Sequence, residues 1–181
     1  MNMLYKGNYY KRFEPVCKLL SGKNVVELCF GDTLIASYCK QNEIRWTGID
    51  INTDFVKNAR KKGFNAELSD IKAMDKFPTA DTLIISGSLY HFNSDLETLF
   101  KKALSSSAYI IISEPVINLS NRKGFIGKLA QGSATIEKQK QHFRFTESTL
   151  LKTLDSLSES LKFNYKVVER FDKDLIIVIT K

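Results

Sequence analysis

Three carboxylates close three successive apolar runs of the chain. Glu27 lies in KNVVELCFGD, Asp50 ends IRWTGID, and Asp70 follows FNAELS. A carboxylate offers two acceptor oxygens, so an acid at the end of a buried strand can take both hydroxyls of a ribose. Glu27 and Asp50 are 50 − 27 = 23 positions apart, in keeping with the ~20-residue spacing of dinucleotide-type sites. Asp70, with Ile71 beside it, has the types to accept from an exocyclic amine while an aliphatic chain covers a ring face. Asp also favours helix N-caps, and for Asp70 alone the two readings weigh equally. Carboxylates at adjacent strand ends repel unless something positive lies between them, so the three together point to a ligand. Gly31, in the turn after the first run, permits close backbone approach. Asp32 in the same turn would repel a pyrophosphate, which counts against a redox dinucleotide site.

The elements that must carry these acids follow from periodicity. Continuous apolar, β-branched runs at 23–29, 44–50, 64–68, 82–86 and 109–113 read as buried strands. Helix-period segments at 33–41, 53–62 and 95–104 lie between them, and 146–157 follows with Thr146 as its N-cap. Strand-helix alternation predicts an α/β, doubly wound, Rossmann-like sheet, mainly parallel and covered by helices on both faces. Two last runs, 164–171 and 175–180, are separated only by 172–174, which forces an antiparallel C-terminal hairpin and gives seven strands. The stretch 115–145, strongly basic from Arg122 to Arg144 with Glu137 as its single acid, is longer than the ~12–15 residues of a passive loop. It is expected to hold its own helix, to act as a mobile flap, or both.

The 181 residues, 43% of them hydrophobic, suit one globular domain over 1–181 with a substantial core. No apolar run approaches the ~20 residues of a membrane helix, and the first residues lack a secretory pattern. Three cysteines without a C-x-x-C pair argue against a disulfide framework or a zinc site and for a reducing, cytoplasmic setting. Two histidines are too few for a His-based metal centre. The net charge of +7 allows an anionic partner but equally serves solubility.

ELCFGDT, GIDIN, LSDI and ADTLIISGSLYHF, taken in order, resemble the class I S-adenosylmethionine-dependent methyltransferases, roughly from Val25 to the C-terminus and so over nearly the whole chain. The resemblance implies S-adenosyl-L-methionine as cofactor and S-adenosyl-L-homocysteine as product. Its cofactor set would include Glu27, Cys29 and Gly31 in the turn, Asp50 and Ile51 at the ribose, Asp70 and Ile71 at the adenine, and Ser86. The family turn is usually acid-x-Gly-x-Gly-x-Gly, whereas here those glycine places hold Cys29, Gly31 and Thr33. Cys29 is small enough to let a ligand near, and Thr33 reads as an N-cap or first-turn residue. A cofactor that carries no phosphate and is cationic at sulfur suits an acidic turn better than a dinucleotide does.

Methyl transfer to O or N is an in-line displacement that rests on positioning, with a base where the nucleophile holds its proton tightly. Candidate bases are His91 and Tyr90 after the fourth strand, Glu114 at the end of the fifth, and His142 in the basic segment. Residues 1–22 are expected to form an N-terminal lid, with Tyr9, Tyr10 and Arg12 closing over the methionine end and Arg12 pairing its carboxylate. Residues 115–145 would then be an acceptor-side insertion. SGSLYHF lacks the (D/N/S)PP(Y/F/W) signature of amino-methyltransferases acting on adenine or glutamine. The acceptor is expected to be a small molecule, with an anionic one allowed by the charge. The alternatives are a nucleic-acid (RNA) methyltransferase, which would use the basic stretch as a phosphate track, and a non-catalytic methyltransferase-like binding domain.

Overall fold

The computed structural model describes residues 9–116 and 143–181. In chain order the elements are α1 (Glu14–Lys18), β1 (Asn24–Leu28), α2 (Leu34–Gln41), β2 (Arg45–Asp50), α3 (Thr53–Lys61) and β3 (Asn65–Leu68). They continue with β4 (Thr82–Ser86), α4 (Leu96–Ser106), β5 (Tyr109–Pro115), α5 (Glu147–Leu161), β6 (Asn164–Phe171) and β7 (Asp174–Thr180). Short 3-10 turns occupy Tyr9–Phe13 and Leu89–Phe92.

The seven strands form one sheet in the order β3-β2-β1-β4-β5-β7-β6. β1 to β5 are mutually parallel, and β7 inserts antiparallel between β5 and β6. The chain runs outward from β1 to β3, then returns to lay β4 on the other side of β1. Strand order therefore reverses between β1 and β4, where a doubly wound sheet opens its ligand crevice.

Side-chain alternation divides the core into two layers. Val26, Leu28, Leu83, Ile85, Ile110 and Ile112 face α4 and α5. Val25, Ile84, Ile111 and Ile176 face α1, α2 and α3 on the other side. Strands buried on both faces read as continuous apolar runs, which is why β4 and β5 stand out in the sequence. β6 is one of the two edges, and its Lys166, Glu169 and Arg170, with a bulge between Val167 and Glu169, discourage further pairing.

Boundaries follow the sequence expectation closely. Thr146 caps α5 through a capping box with Thr149. That helix continues to Leu161, beyond the expected end at 157. Asp174 begins β7 rather than closing the turn before it, and it is 1% exposed. Residues 117–142, which hold most of the expected acceptor-side insertion together with His142, lie outside the described residues, as do residues 1–8 of the expected lid.

Candidate functional site

The turn after β1 is held in an unusual conformation. Cys29 donates its backbone N–H to Ile49 O at 2.7 Å, which keeps it beside β2. Its φ is +54°, and that of Gly31 is +55°. A side chain in this left-handed region costs roughly 1–2 kcal/mol, and such strain persists where the surroundings over-determine it. A Cβ on Gly31 would meet only Phe55 Cε2, at 3.8 Å, so conformation rather than space demands glycine there. Thr33 stands at the N-cap position of α2 but makes no cap bond, and its Oγ1 accepts from Lys62 Nζ at 2.8 Å. The first two glycine-type places thus keep the turn geometry, and the third has become the start of a helix.

Asp50 ties this turn to the end of β2. Its Oδ2 accepts from Gly31 N at 3.1 Å and its Oδ1 from Asn52 N at 2.8 Å. Each oxygen keeps a second lone pair. Asn52 in turn caps α3, accepting from Asp54 N at 2.9 Å and Phe55 N at 3.3 Å. Ile51 is 65% exposed and Phe55, one helical turn later, is 38% exposed.

A cavity of about 620 Å³ opens at these strand ends. Cys29, Gly31, Asp50, Ile51, Phe55 and Ser86 form one part of its wall. Tyr90, His91, Val116, Arg144 and Lys173 form another, together with Tyr9, Arg12 and Phe13 of the N-terminal turn. A second hollow of about 670 Å³, among Asp95, Thr98, Lys152 and Ser156, is more open and carries none of the strand-end residues. Among the described residues no group of three or more His, Cys, Asp or Glu side chains is placed to hold a metal ion.

Arg12 reaches the cavity from the N-terminal 3-10 turn and is only 6% exposed. Its Nε donates to Asp174 Oδ2 at 2.6 Å, and Ser113 Oγ donates to the same oxygen at 3.4 Å. The guanidinium packs on Gly87, whose φ is +65° and whose absent Cβ would lie 3.1 Å from Nη2. The partner in the described residues is therefore a protein carboxylate, which the sequence reading had not foreseen.

Five expected site residues do not border the cavity. Glu27 is fully buried on the α1/α2 face of β1, where its Oε2 accepts from Trp46 Nε1 at 2.8 Å. Among the described residues its Oε1 has no hydrogen-bond partner, and burial, opposed by the Trp46 bond, pushes its carboxyl up to about 8. Glu114 is equally buried; it accepts from Leu89 N at 3.0 Å, and burial pushes it up to about 8 as well. Asp70 accepts from Lys72 N at 2.9 Å in a local turn rather than capping a helix, and Ile71 is packed into the core. Tyr10 is 56% exposed, and its neighbour Tyr9 takes the cavity wall. Burial also pushes the Cys29 thiol up to about 12, which makes it a spacer rather than a nucleophile.

No protein-family model matches the sequence, and no curated protein matches it. The fold, by contrast, is similar to that of solved structures. The plantazolicin methyltransferase BpumL, solved with a monoazolic desmethylPZN analog and SAH, superposes with a TM-score of 0.73 at 14% identity, over 99% of this chain and 87% of that one. Magnesium protoporphyrin IX methyltransferase (ChlM) from Synechocystis PCC 6803 with bound SAH gives 0.71 at 17% identity, over 96% and 84%. The methyltransferase domain of bacterial CtHen1-C gives 0.68 at 16%, over 94% and 97%. The chain has the class I methyltransferase fold.

Within this methyltransferase fold the sequence reading missed Phe13, Phe55, Ser88 and Lys173 as neighbours of the cavity, and it took Arg144 only as part of a basic stretch. Phe55 had a usable signal, since it stands four residues after Ile51 at the start of a helix. Lys173 had none, because it reaches the wall only through the pairing of β7 with β5.

Proposed function

We propose that the chain is an S-adenosylmethionine-dependent methyltransferase acting on a small-molecule acceptor at oxygen or nitrogen. One observation carries the reading: at the strand-order reversal, Asp50 and the left-handed turn of Cys29 and Gly31 converge on one cavity. The residues fit the cofactor. Asp50 has lone pairs left for two ribose hydroxyls. Ile51 and Phe55, apolar side chains that water now reaches, offer a surface for an adenine ring. Glu27 stands behind the turn and supports it rather than touching the ligand. Asp70 and Ile71 lie outside the cavity, so an adenine contact from them needs a change in the loop after β3.

When bound, the cofactor supplies a methyl group on a positively charged sulfur. The protein contributes positioning. The left-handed turn brings backbone close to the ligand, Asp50 fixes its ribose, and Tyr9, Phe13 and Val116 wall the cavity against water. Where the acceptor holds a proton, its removal falls to His91 or Tyr90, which border the cavity. Glu114, bound to the Leu89 amide beneath them, orients that turn instead of acting as the base.

The test is to incubate the protein with methyl-labelled S-adenosylmethionine and, separately, a small-metabolite extract and total RNA. Label is expected in the small-molecule fraction. Label in RNA, lost steeply with added salt, would overturn the small-molecule assignment. Cofactor binding with no transfer to either pool would favour a binding domain.

A further inference from the structure

The cavity wall away from Asp50 has the opposite charge, and we propose that it receives an oxyanion, a carboxylate or phosphoryl group of the acceptor, gripped by Arg144. That the anion belongs to a methyl acceptor rests on the methyl-transfer reading; the anion site itself rests on the placement and charge of Arg144.

Arg144 is held in place by its neighbours in sequence. Phe145 is 1% exposed and belongs to the core with Leu150 and Leu154 of α5. Phe143 packs edge-on against Phe145, with ring centroids 4.8 Å apart. The two phenylalanines share one side of the strap, and Arg144 between them takes the other. There its Cζ lies 3.4 Å from the centroid of the Tyr90 ring. The Tyr90 and His91 rings lie 3.9 Å apart, tilted by 39° to each other, so Arg144 rests on the Tyr90 face with His91 beside it.

The charge of Arg144 is not neutralised by the described residues, where it makes no ion pair. The acidic group that feels it, Glu114, is pushed up to about 8 by burial, so at neutral pH it is largely protonated. Arg12, on the same wall, is matched by Asp174. Stacking occupies only the face of a guanidinium and leaves its N–H edge for a bidentate oxyanion. Lys173 lies on the same wall.

Position separates this site from the Asp50 end. β2, which ends in Asp50, and β4, which Tyr90 follows, are two strand intervals apart in the sheet order, or roughly 10 Å at the usual strand spacing. An acid-lined end and a base-lined end of one cavity therefore orient a cationic donor and an anionic acceptor toward each other.

The experiment uses the full chain with benzoate and phenylphosphonate as probes and benzamide as their neutral counterpart. Binding is measured with and without S-adenosylhomocysteine. At least one acid should bind roughly 10-fold more tightly than benzamide, the size of one charge-assisted bond. Which acid wins tells carboxylate from phosphoryl chemistry. Arg144→Gln should abolish the preference and Arg144→Lys should keep part of it. Lys152→Gln, the same charge change on α5 outside this cavity, should leave it intact. Acids binding no better than benzamide, or equal losses in Arg144→Gln and Lys152→Gln, would overturn the site. If S-adenosylhomocysteine fails to bind while the Arg144-dependent preference persists, the cofactor reading fails and the anion site stands. The reverse result removes the anion site alone.

Discussion

The two ends of the cavity are built in different ways. The acidic end uses the β1 turn and the first residues after β2, so Asp50 reaches Gly31 across only 19 positions. Its geometry comes from adjacent parallel strands, a capped helix and two left-handed residues, all stiff and short-range. The basic end joins the N-terminal turn, the segment after β4, the strap before α5 and the start of β7. Its clearest link, Arg12 to Asp174, spans 162 positions. The first end is pre-formed by local structure, whereas the second exists only when the whole sheet is assembled. On the proposed reading, a cofactor site of fixed shape stands beside an acceptor site of adaptable origin, which is what one fold needs to serve different acceptors.

The largest expected effect strikes the basic end. Asp174→Ala leaves a nearly buried guanidinium without its carboxylate, and breaking a buried pair costs about 3–5 kcal/mol. Chemical denaturation measures it. A loss below about 1 kcal/mol would mean that Arg12 is held by something else.

Next comes pH, which probes the supports behind both ends. Glu27 behind the acidic turn and Glu114 beneath Tyr90 are each raised from 4.5 to about 8. Below 4.5 both native and unfolded states keep these protons, and the native state is at its most favoured with respect to them. Between 4.5 and 8 the unfolded chain releases protons that the native one retains. Stability therefore falls as pH rises through that window, by roughly 1 kcal/mol per pH unit for each group. Glu27→Gln and Glu114→Gln should each flatten the slope seen in denaturation at several pH values. A slope that neither variant changes would contradict the burial of these carboxyls.

The smallest expected effect is a gain. Cys29→Gly relieves a left-handed side chain but adds freedom to the unfolded chain, for a net stabilisation of about 1 kcal/mol or less. A lower denaturation midpoint in the variant would show that the thiol packing outweighs the strain.

The same contrast explains what the sequence made legible. The seven strands, the antiparallel hairpin and the Asp50–Gly31 convergence could be read because each is carried by periodicity or by strand-end residues close in sequence. Glu27 was placed in the site by its strand-end position, but alternation along β1 turns it toward Trp46 instead. Asp174 was read as a turn residue, since one acid before LIIVIT gives no hint that β7 will bury it against Arg12. Arg144 looked like one charge in a basic stretch. What picks it out is the pair of phenylalanines around it, and their packing depends on a core assembled from distant strands.

The most direct test is calorimetric titration of S-adenosylhomocysteine into the wild type, Asp50→Ala and Arg144→Gln, with fold integrity checked by thermal melting. The account predicts one-site binding to the wild type. Asp50→Ala should lose about 1.5–3 kcal/mol, roughly 10- to 150-fold in affinity, through the bonds its carboxylate makes. Arg144→Gln should stay within about twofold of the wild type. Unchanged affinity in a folded Asp50→Ala protein, or an equal loss in both variants, would contradict the division of the cavity into a cofactor end and an acceptor end.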